Sequence, residues 1–582
     1  MTAESLLLSF RATGEVPDVD VILQEVVRAR LDGIVREMQA AVLRTGFSTI
    51  IRESHDFSAG IVDREGKVVG QHSPLPPHLG AYPECVIGIL KLYTYEEMED
   101  GDCFLINNPY YSGCPHPNDM VVVMPVMYDG DVVAFCCSMG HKSDIGGQSP
   151  GSRNVLARDV FGEGLQIIPA KFQSRRKLVK ETVQFLTANS RTPTLVLGDL
   201  GAQAGALWSI GATRIKELMD VYGKETTLAA FEQIGLRTEA RVRQEIASWP
   251  DGVYEAEAYI DDIADASKPI RLHVAAIKEG DRLVLDFSGS DDQSAGPVNV
   301  RPPFIRGMAC FAAVAMIDPS VPNNFGLARA VECRFRPGSV VDPIFPAPVG
   351  FYSMTLGLVE DIIFTALSKA AGRPPVAHNA SGNMVVIGNV SGKGRPYVQY
   401  ELLISGNGAF GGGDGFTGTG HSWTGGAKFA SVEILESEFD VELQQFSVIP
   451  DSGGAGQYRG GLGYRRDYVV RSESRFSGGS DRVLRPSHGV DGGLDGVAGC
   501  VIINPGAENE QYFKGLISNI AIEEGDVLRV ETGSAGGVGL PKERDRERVI
   551  LDLQNGFITA EVAKATYGLS DDLIAAALRG TG

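Results

Sequence analysis

The sequence predicts an α+β fold, strand-rich, with helical segments at the N-terminus and in the centre. Three observations lead there. Apolar residues recur with a 3.6-residue period over Val21–Arg44 and again over residues 196–248. Between these stretches, and for most of the chain beyond residue 250, short β-branched runs are punctuated by turn sequences. Glycine (71) and proline (30) together form about a sixth of the 582 residues, above the usual share of about 12%, so much of the backbone must turn.

Each element follows in order. The first helix places Val27, Leu31, Ile34, Val35, Met38 and Val42 on one face. From Phe57 to about Met139 strands dominate. One hairpin sets Phe57–Val62 against Lys67–Gln71 through the turn Asp63–Gly66, and a second sets Met120–Tyr128 against Asp131–Met139 through Asp129-Gly130. The helical pattern over 196–248 stops at Pro250. Tyr254–Ile260, Ile270–Ile277 and Arg282–Phe287 then read as strands, and Gly307–Ile317 and Leu356–Ala371 as helices. A glycine-dense tract, 406–426, gives way to strands up to about residue 531, and Arg544–Leu578 reads as two short helices. No fixed-period repeat is visible, which excludes a solenoid. At roughly 150 residues per domain the length suggests three or four units or one interlocked body, and composition divides the chain at 1–250, 251–405 and 406–582.

Charge and cysteine usage narrow the class. With 53 Lys+Arg against 73 Asp+Glu the formal charge is −20, which argues against nucleic acid or an anionic membrane as partner, since both need a positive surface. Met1–Glu15 lacks the basic, apolar and cleavage regions of a signal peptide, and the longest apolar runs fall short of the roughly 18 residues of a membrane span. A cytoplasmic protein is expected. Eight scattered cysteines, with no CxxC, read as reduced and mostly buried.

The chemistry-bearing residues emerge from asking which of the nine histidines lie beside carboxylates. In Cys114-Pro-His116-Pro-Asn-Asp119 the proline after His116 enforces extended backbone, and three residues per polyproline turn put His116 and Asp119 on one side. In the hairpin after this segment, residue i faces residue 259 − i, so Asn118 lies opposite His141 and the turn returns His141 to the His116/Asp119 end. Pro125 could shift that register by a bulge. Two imidazoles and a carboxylate suit Zn²⁺, Mn²⁺ or Fe²⁺. Asp144 is a further ligand or a residue that orients an imidazole. Asp56 lies at the open end of the first hairpin, but spacing alone does not join the two hairpins. His55, His72 and His78 are substrate-pocket candidates, while His273, His378 and His488 carry no local signal. Two decoys are set aside. Gly147-Gln-Ser149-Pro150-Gly151 fits a nucleophile elbow, but Pro150 has no N–H to serve an oxyanion. GFTGTG at 415–420 lies in the glycine tract with no strand before it or helix after it, so it is no dinucleotide motif. That tract, with His421, is either a backbone-lined loop beside a ligand or a series of turns.

The strings DFSAGIVDREGKVVGQ, LPPHLGAYPECV, GDCFLINNPYYSGCPHPNDMVVVMPVMYDGDVVAF, GHKSDIGGQSPGS, TPTLVLGDLGAQ, PDSGGAGQYRGGLG and ERDRERVILDLQNGFITAEVA together resemble the hydantoinase B/oxoprolinase family, from about residue 22 to 570. The resemblance implies a metal-dependent B-type subunit of a hetero-oligomer. A hydantoinase A-type ATPase partner would use ATP to phosphorylate a hydantoin, oxoproline or lactam, and this chain would complete the hydrolysis. The alternatives are a subunit of an acetone- or acetophenone-type carboxylase and a non-catalytic scaffold. It further implies Asp56, His116, Asp119 and His141 as ligands of one divalent metal, Zn or Mn or else Fe. Asp144 or His78 is expected to transfer a proton or position substrate. Two departures stand out: Lys142 replaces a second histidine common in the family, and CPHPND replaces a GTHLPD-like string while keeping the His-x-x-Asp spacing.

Overall fold

The computed structural model describes residues 18–72, 75–265, 267–380, 382–389, 396–403, 405–419, 422–424 and 426–579; Met1–Glu15 and His421 lie outside them. Among these residues four sheets and their covering helices form the α+β architecture. The first sheet comprises β1 (Phe57–Asp63), β2 (Val68–His72), β3 (Cys103–Ile106), β4 (Asp119–Tyr128), β5 (Asp131–His141), β6 (Ala170–Ser174) and β7 (Lys177–Leu178). Its order is β2-β1-β5-β4-β3-β6-β7, antiparallel throughout. Both faces are covered. Met120, Val122, Met124 and Cys136 pack with the helices Val21–Thr45, Pro193–Ala206 and Lys224–Ala247. Val121, Val123, Phe135 and Met139 face the opposite core, with the helices Pro302–Ile317 and Tyr352–Ala370. Burial on both faces explains why β4 is an unbroken apolar run rather than an alternating one; each such side chain contributes about 1.5–3 kcal/mol.

The second sheet, β8 (Gly252–Ile260), β9 (Ile270–Glu279), β10 (Arg282–Asp286) and β11 (Val331–Arg334), runs β11-β10-β9-β8. Its apolar face joins the same core as the first sheet, so that core runs from Ile50 to Tyr400, across the expected boundary at 250. The remaining strands are β12 (Asn383–Asn389), β13 (Tyr397–Leu403), β14 (Val441–Val448), β15 (Tyr464–Val470), β16 (Ser474–Ser480), β17 (Cys500–Ile503), β18 (Gln511–Phe513), β19 (Leu516–Ile522) and β20 (Val527–Glu531). They form sheets ordered β13-β12-β16-β19 and β14-β15-β20-β17-β18, packed on a shared apolar layer.

Several expectations are corrected. A helix, Ala81–Leu90, interrupts the stretch expected to be strands. Its Pro83 reads as a breaker, but in the first turn of a helix a missing N–H costs nothing. The C-terminal tail holds three helices, not two: Arg546–Gln554, Ala560–Ala565 and Asp571–Arg579. Glycines of the C-terminal third serve close backbone approach more than turning: a Cβ on Gly408 would lie 1.9 Å from the Ala377 carbonyl oxygen, and one on Gly460 2.1 Å from that of Ala535. All eight cysteines are unpaired, seven of them buried. No helix among the described residues is long and apolar enough to cross a membrane.

Candidate metal centre

β5 carries the centre of the site. Its last residue, His141, pairs with Asp119 at the start of β4. On its other edge Gly140 pairs with Phe57 of β1, and the His141 N–H donates to the Asp56 carbonyl at 3.1 Å. Directly opposed residues of antiparallel neighbours project from one face, so Asp56, Asp119 and His141 point the same way at one end of the sheet. The two hairpins therefore do meet at their open ends. His55 has φ +57°, a left-handed residue of the kind found where backbone is bent to aim a functional neighbour, and it immediately precedes Asp56.

The expected register needs one correction. Tyr128 pairs with Asp131 and Met127 with Val132 as foreseen, but Val126 pairs with Ala134. Val133 is an extra residue, a β-bulge beside Pro125, which has no ladder N–H to give. Past the bulge the register moves by one, and Asp119 rather than Asn118 faces His141.

His116 arrives from the turn before β4, where the Asp119 N–H donates to the His116 carbonyl at 3.2 Å. Asp119 then bridges both rings: Oδ2 is 3.2 Å from His116 Nε2 and Oδ1 is 3.0 Å from His141 Nδ1. Asp56 Oδ2 lies 4.0 Å from the same His141 nitrogen. The ligand-type atoms of His116, Asp119 and His141 fall within 4.8 Å of one another, and all three residues are buried. His141 Nε2 is buried without a hydrogen-bond partner. An orphaned imidazole nitrogen inside a protein is costly unless something binds it. Two imidazoles, an adjacent carboxylate and this orphan fit a divalent cation.

Electrostatics agree with that donor set. Burial pushes the Asp56 carboxyl up to about 6, an effect that His141 reduces. Burial also opposes ionisation of Asp119, but His116 and His141 outweigh it and hold its carboxyl well below the usual range. Burial lowers His141, favouring the neutral imidazole a metal requires.

These groups open on a cleft of about 850 Å³, counted to its open side. Arg153 enters beside them. Its Nη1 donates to the Gly350 carbonyl at 2.5 Å and lies 3.1 Å from His116 Nδ1, while its guanidinium carbon sits 4.4 Å from the Phe351 ring centroid. Glu163 accepts the Gly350 N–H from the other side at 2.5 Å, so the backbone of Gly350 is held through two successive peptide units, by a cation on one and by a carboxyl that burial pushes up to about 8 on the other. Tyr352 stands 5.1 Å from the His116 ring and Tyr400 4.5 Å from the His141 ring. Leu75, Met354, Met384, Leu402, Leu403 and Leu516 line the rest, and Thr424 brings the end of the glycine tract to the wall.

The other expected residues lie elsewhere. The fully buried carboxylate of Asp144 is taken up by the N–H groups of Gly146, Gly151 and Arg191 and by the Arg191 side chain, all at 2.9–3.0 Å, so it organises the 144–151 loop and does not face the cleft. His78 is buried behind β1, its Nδ1 2.6 Å from Ser58 Oγ, which is itself 2.6 Å from the Tyr82 hydroxyl; burial lowers it to about 4. His55 and His72 do not line the cleft either. Lys142 points to the opposite face of β5, where its Nζ donates to the Gly140 carbonyl and to Gln203 Oε1 at 3.0 and 2.7 Å. The sequence reading missed Arg153, Tyr352 and Tyr400. None has a local signal, although Arg153 lies two residues past the GQSPG string set aside as a decoy.

Comparison with known proteins relates the chain and its fold to others. The chain is 29% identical over 576 residues to a putative D-/L-hydantoinase B-type subunit of Pseudomonas sp. (strain NS671), covering 96% of both chains. The solved structure of an ATP-dependent caprolactamase from Pseudomonas jessenii superposes with a TM-score of 0.85 at 25% identity, over 97% of this chain and 99% of that one. A nucleotide-free acetone carboxylase shares the fold, with a TM-score of 0.83 at 18% identity over 96% of this chain and 82% of that one. The hydantoinase B/oxoprolinase model matches residues 20–541, and with nearly the whole chain accounted for, this protein belongs to the hydantoinase B/oxoprolinase family.

Proposed function

We propose that this chain is the metal-dependent B-type subunit of an ATP-dependent cyclic-amide hydrolase. Its substrate is a hydantoin, oxoproline or lactam whose oxygen a hydantoinase A-type ATPase partner has phosphorylated. The observation that carries this reading is the buried His116/Asp119/His141 cluster on the wall of the cleft. An unstrained ring amide is a poor electrophile, and phosphorylating its oxygen makes a good one. His116, Asp119 and His141 would hold the divalent ion, with Asp56 alongside. A bound divalent ion supplies an acidified water and a sink for developing negative charge. The chain's own residues do the rest. Arg153 sets a positive charge beside His116, where an anionic phosphoryl group would sit. Tyr352 and Tyr400 close over the rings and exclude bulk water. His78, neutral at physiological pH, stands behind Asp119 and positions β1 through Ser58, and Asp144 fixes the loop that delivers Arg153.

The test uses the chain with its ATPase partner. ATP turnover stimulated by a lactam or hydantoin without bicarbonate is expected, whereas turnover that strictly needs bicarbonate and a ketone would move the assignment to a carboxylase. His116→Ala and His141→Ala should each strip Zn, Mn or Fe from a folded chain. Full metal occupancy in both variants would refute the centre, and a metal-free wild-type chain would leave a scaffold.

A further inference from the structure

The helix Tyr352–Ala370 starts at the cleft, and its first three residues, Tyr352, Ser353 and Met354, all line it. It has no side-chain cap and no acidic residue in its first turn, so nothing in the helix itself offsets the positive end of its dipole. Around that end stand donors for which the protein offers no acceptor. Tyr352 and Tyr400 are 6% and 4% exposed and both line the cleft, yet among the described residues neither hydroxyl has a hydrogen-bond partner. The N–H and hydroxyl of Ser353 have none among them either. Arg153, 4% exposed, gives Nη1 to Gly350 and His116 and Nε to Met384 Sδ. Its Nη2 is unclaimed by any described residue, and no described carboxylate lies within ion-pair distance of it. These groups adjoin: the guanidinium carbon is 4.4 Å from the Phe351 ring centroid and 6.0 Å from that of Tyr400. A buried cation without a counter-charge and buried hydroxyls without acceptors are costly unless a ligand answers them. An anion rich in acceptor oxygens answers all of them, and a phosphoryl group carries three.

Resting on the reading that the ring reaches this chain phosphorylated, we propose that Tyr352, Ser353 and Tyr400 join Arg153 as the seat of the phosphoryl group, at the N-terminus of the helix Tyr352–Ala370. The two phenols and Ser353 donate to its non-bridging oxygens, and Arg153 balances its charge. The Tyr352 ring stands 5.1 Å from that of His116 and the Tyr400 ring 4.5 Å from that of His141, so a group seated there brings the ring carbon that bears it beside the metal-binding residues. The tyrosines then do more than exclude water. They recognise the tetrahedral group that separates an activated ring from an unactivated one.

Inorganic phosphate is the probe, titrated calorimetrically into the zinc-loaded full chain, with acetate as the planar, singly charged comparison. Phosphate should bind about tenfold or more tightly than acetate. Tyr352→Phe and Tyr400→Phe should each weaken phosphate about tenfold, and Ser353→Asp, which sets a carboxylate at the helix N-terminus where it favours folding, should abolish phosphate binding. Zinc content should be unchanged in all three, which separates the seat from the metal itself. Failure of the wild-type chain to bind phosphate, acetate binding as tightly, or wild-type phosphate affinity in the three variants would each overturn the proposal. In the assembled pair, ATP-dependent ring opening by Tyr352→Phe/Tyr400→Phe with wild-type kcat and KM would overturn it while leaving the hydrolase reading intact. A wild-type pair that opens no lactam or hydantoin, although its chain binds phosphate in the Tyr- and Ser353-dependent way, would overturn the hydrolase reading and leave an oxyanion seat.

Discussion

Asp119→Asn is the sharpest single perturbation of this molecule, because one carboxylate bridges both imidazoles at 3.0 and 3.2 Å and the substitution removes its charge with almost no change of shape. An ion among ligand atoms that lie within 4.8 Å of one another is nearer than that to Asp119. At about 4 Å and an effective dielectric constant near 20, one pair of unit charges is worth about 4 kcal/mol, so a divalent ion loses up to about 8 kcal/mol. Relief of the buried carboxylate's own desolvation offsets part of this. If half survives, about 4 kcal/mol, the dissociation constant rises about 10³-fold. The assay is metal content by mass spectrometry after equilibration against a graded series of chelators, with circular dichroism to verify the fold. Asp56→Asn, 4.0 Å from His141 Nδ1 and with its carboxyl already pushed up to about 6, should weaken binding less, by roughly tenfold. An Asp119→Asn chain that holds metal within tenfold of wild type would show that Asp119 is a hydrogen-bonding bridge and not a ligand.

Other outcomes follow from the same geometry. Burial raises Glu163 from 4.5 to about 8, so the native state keeps a proton that the unfolded chain has released. The favourable contribution is complete below pH about 4.5 and is lost as pH rises through about 8. Glu163→Gln should therefore match wild type in melting temperature near pH 5 and exceed it at pH 9, by roughly 5 kcal/mol at most; a pH-independent difference would contradict this. Arg153→Met should leave metal content intact while lowering kcat/KM for the phosphorylated ring about 10²-fold, as loss of a charge-assisted contact predicts; unchanged kinetics would remove Arg153 from substrate binding. Lys142→Met removes the ammonium that links the Gly140 carbonyl to Gln203. It should lower thermal stability by about 1–3 kcal/mol without emptying the metal site, which differential scanning calorimetry and metal analysis separate.

How much of this was legible in the sequence depends on the range of the forces involved. His116, Asp119 and His141 could be brought together from Pro117 and the Asp129-Gly130 turn, because a two-residue turn fixes the register of the strands it joins. Both turn residues have positive φ in the structure, +50° and +84°. The one-residue error came from Val133, where nothing in a β-branched run marks which residue will bulge. Asp56 was out of reach of local reasoning, since its place depends on β1 adding to the free edge of β5, and the family resemblance supplied it instead. Arg153, Tyr352 and Tyr400 were invisible because only the packing of a loop, a helix and a later sheet over the first sheet brings them near His116. Asp144 was suggested by its spacing from His141, but four donors from its own loop and Arg191 claim its carboxylate first.

The bracing of β5 between β1 and β4 has a consequence for how such a protein can change. All four ligand-type residues lie in or just before one antiparallel triplet buried on both faces, where a substitution in a strand disturbs two cores at once. Most of the cleft's apolar lining, Met354, Met384, Leu402, Leu403 and Leu516, is supplied by strands and a helix from the second half of the chain, which share no backbone ladder with that triplet. Selection can therefore recolour that lining, residue by residue, while the strands that carry Asp119 and His141 stay untouched. A family of one reaction logic and many rings is what such an arrangement would yield.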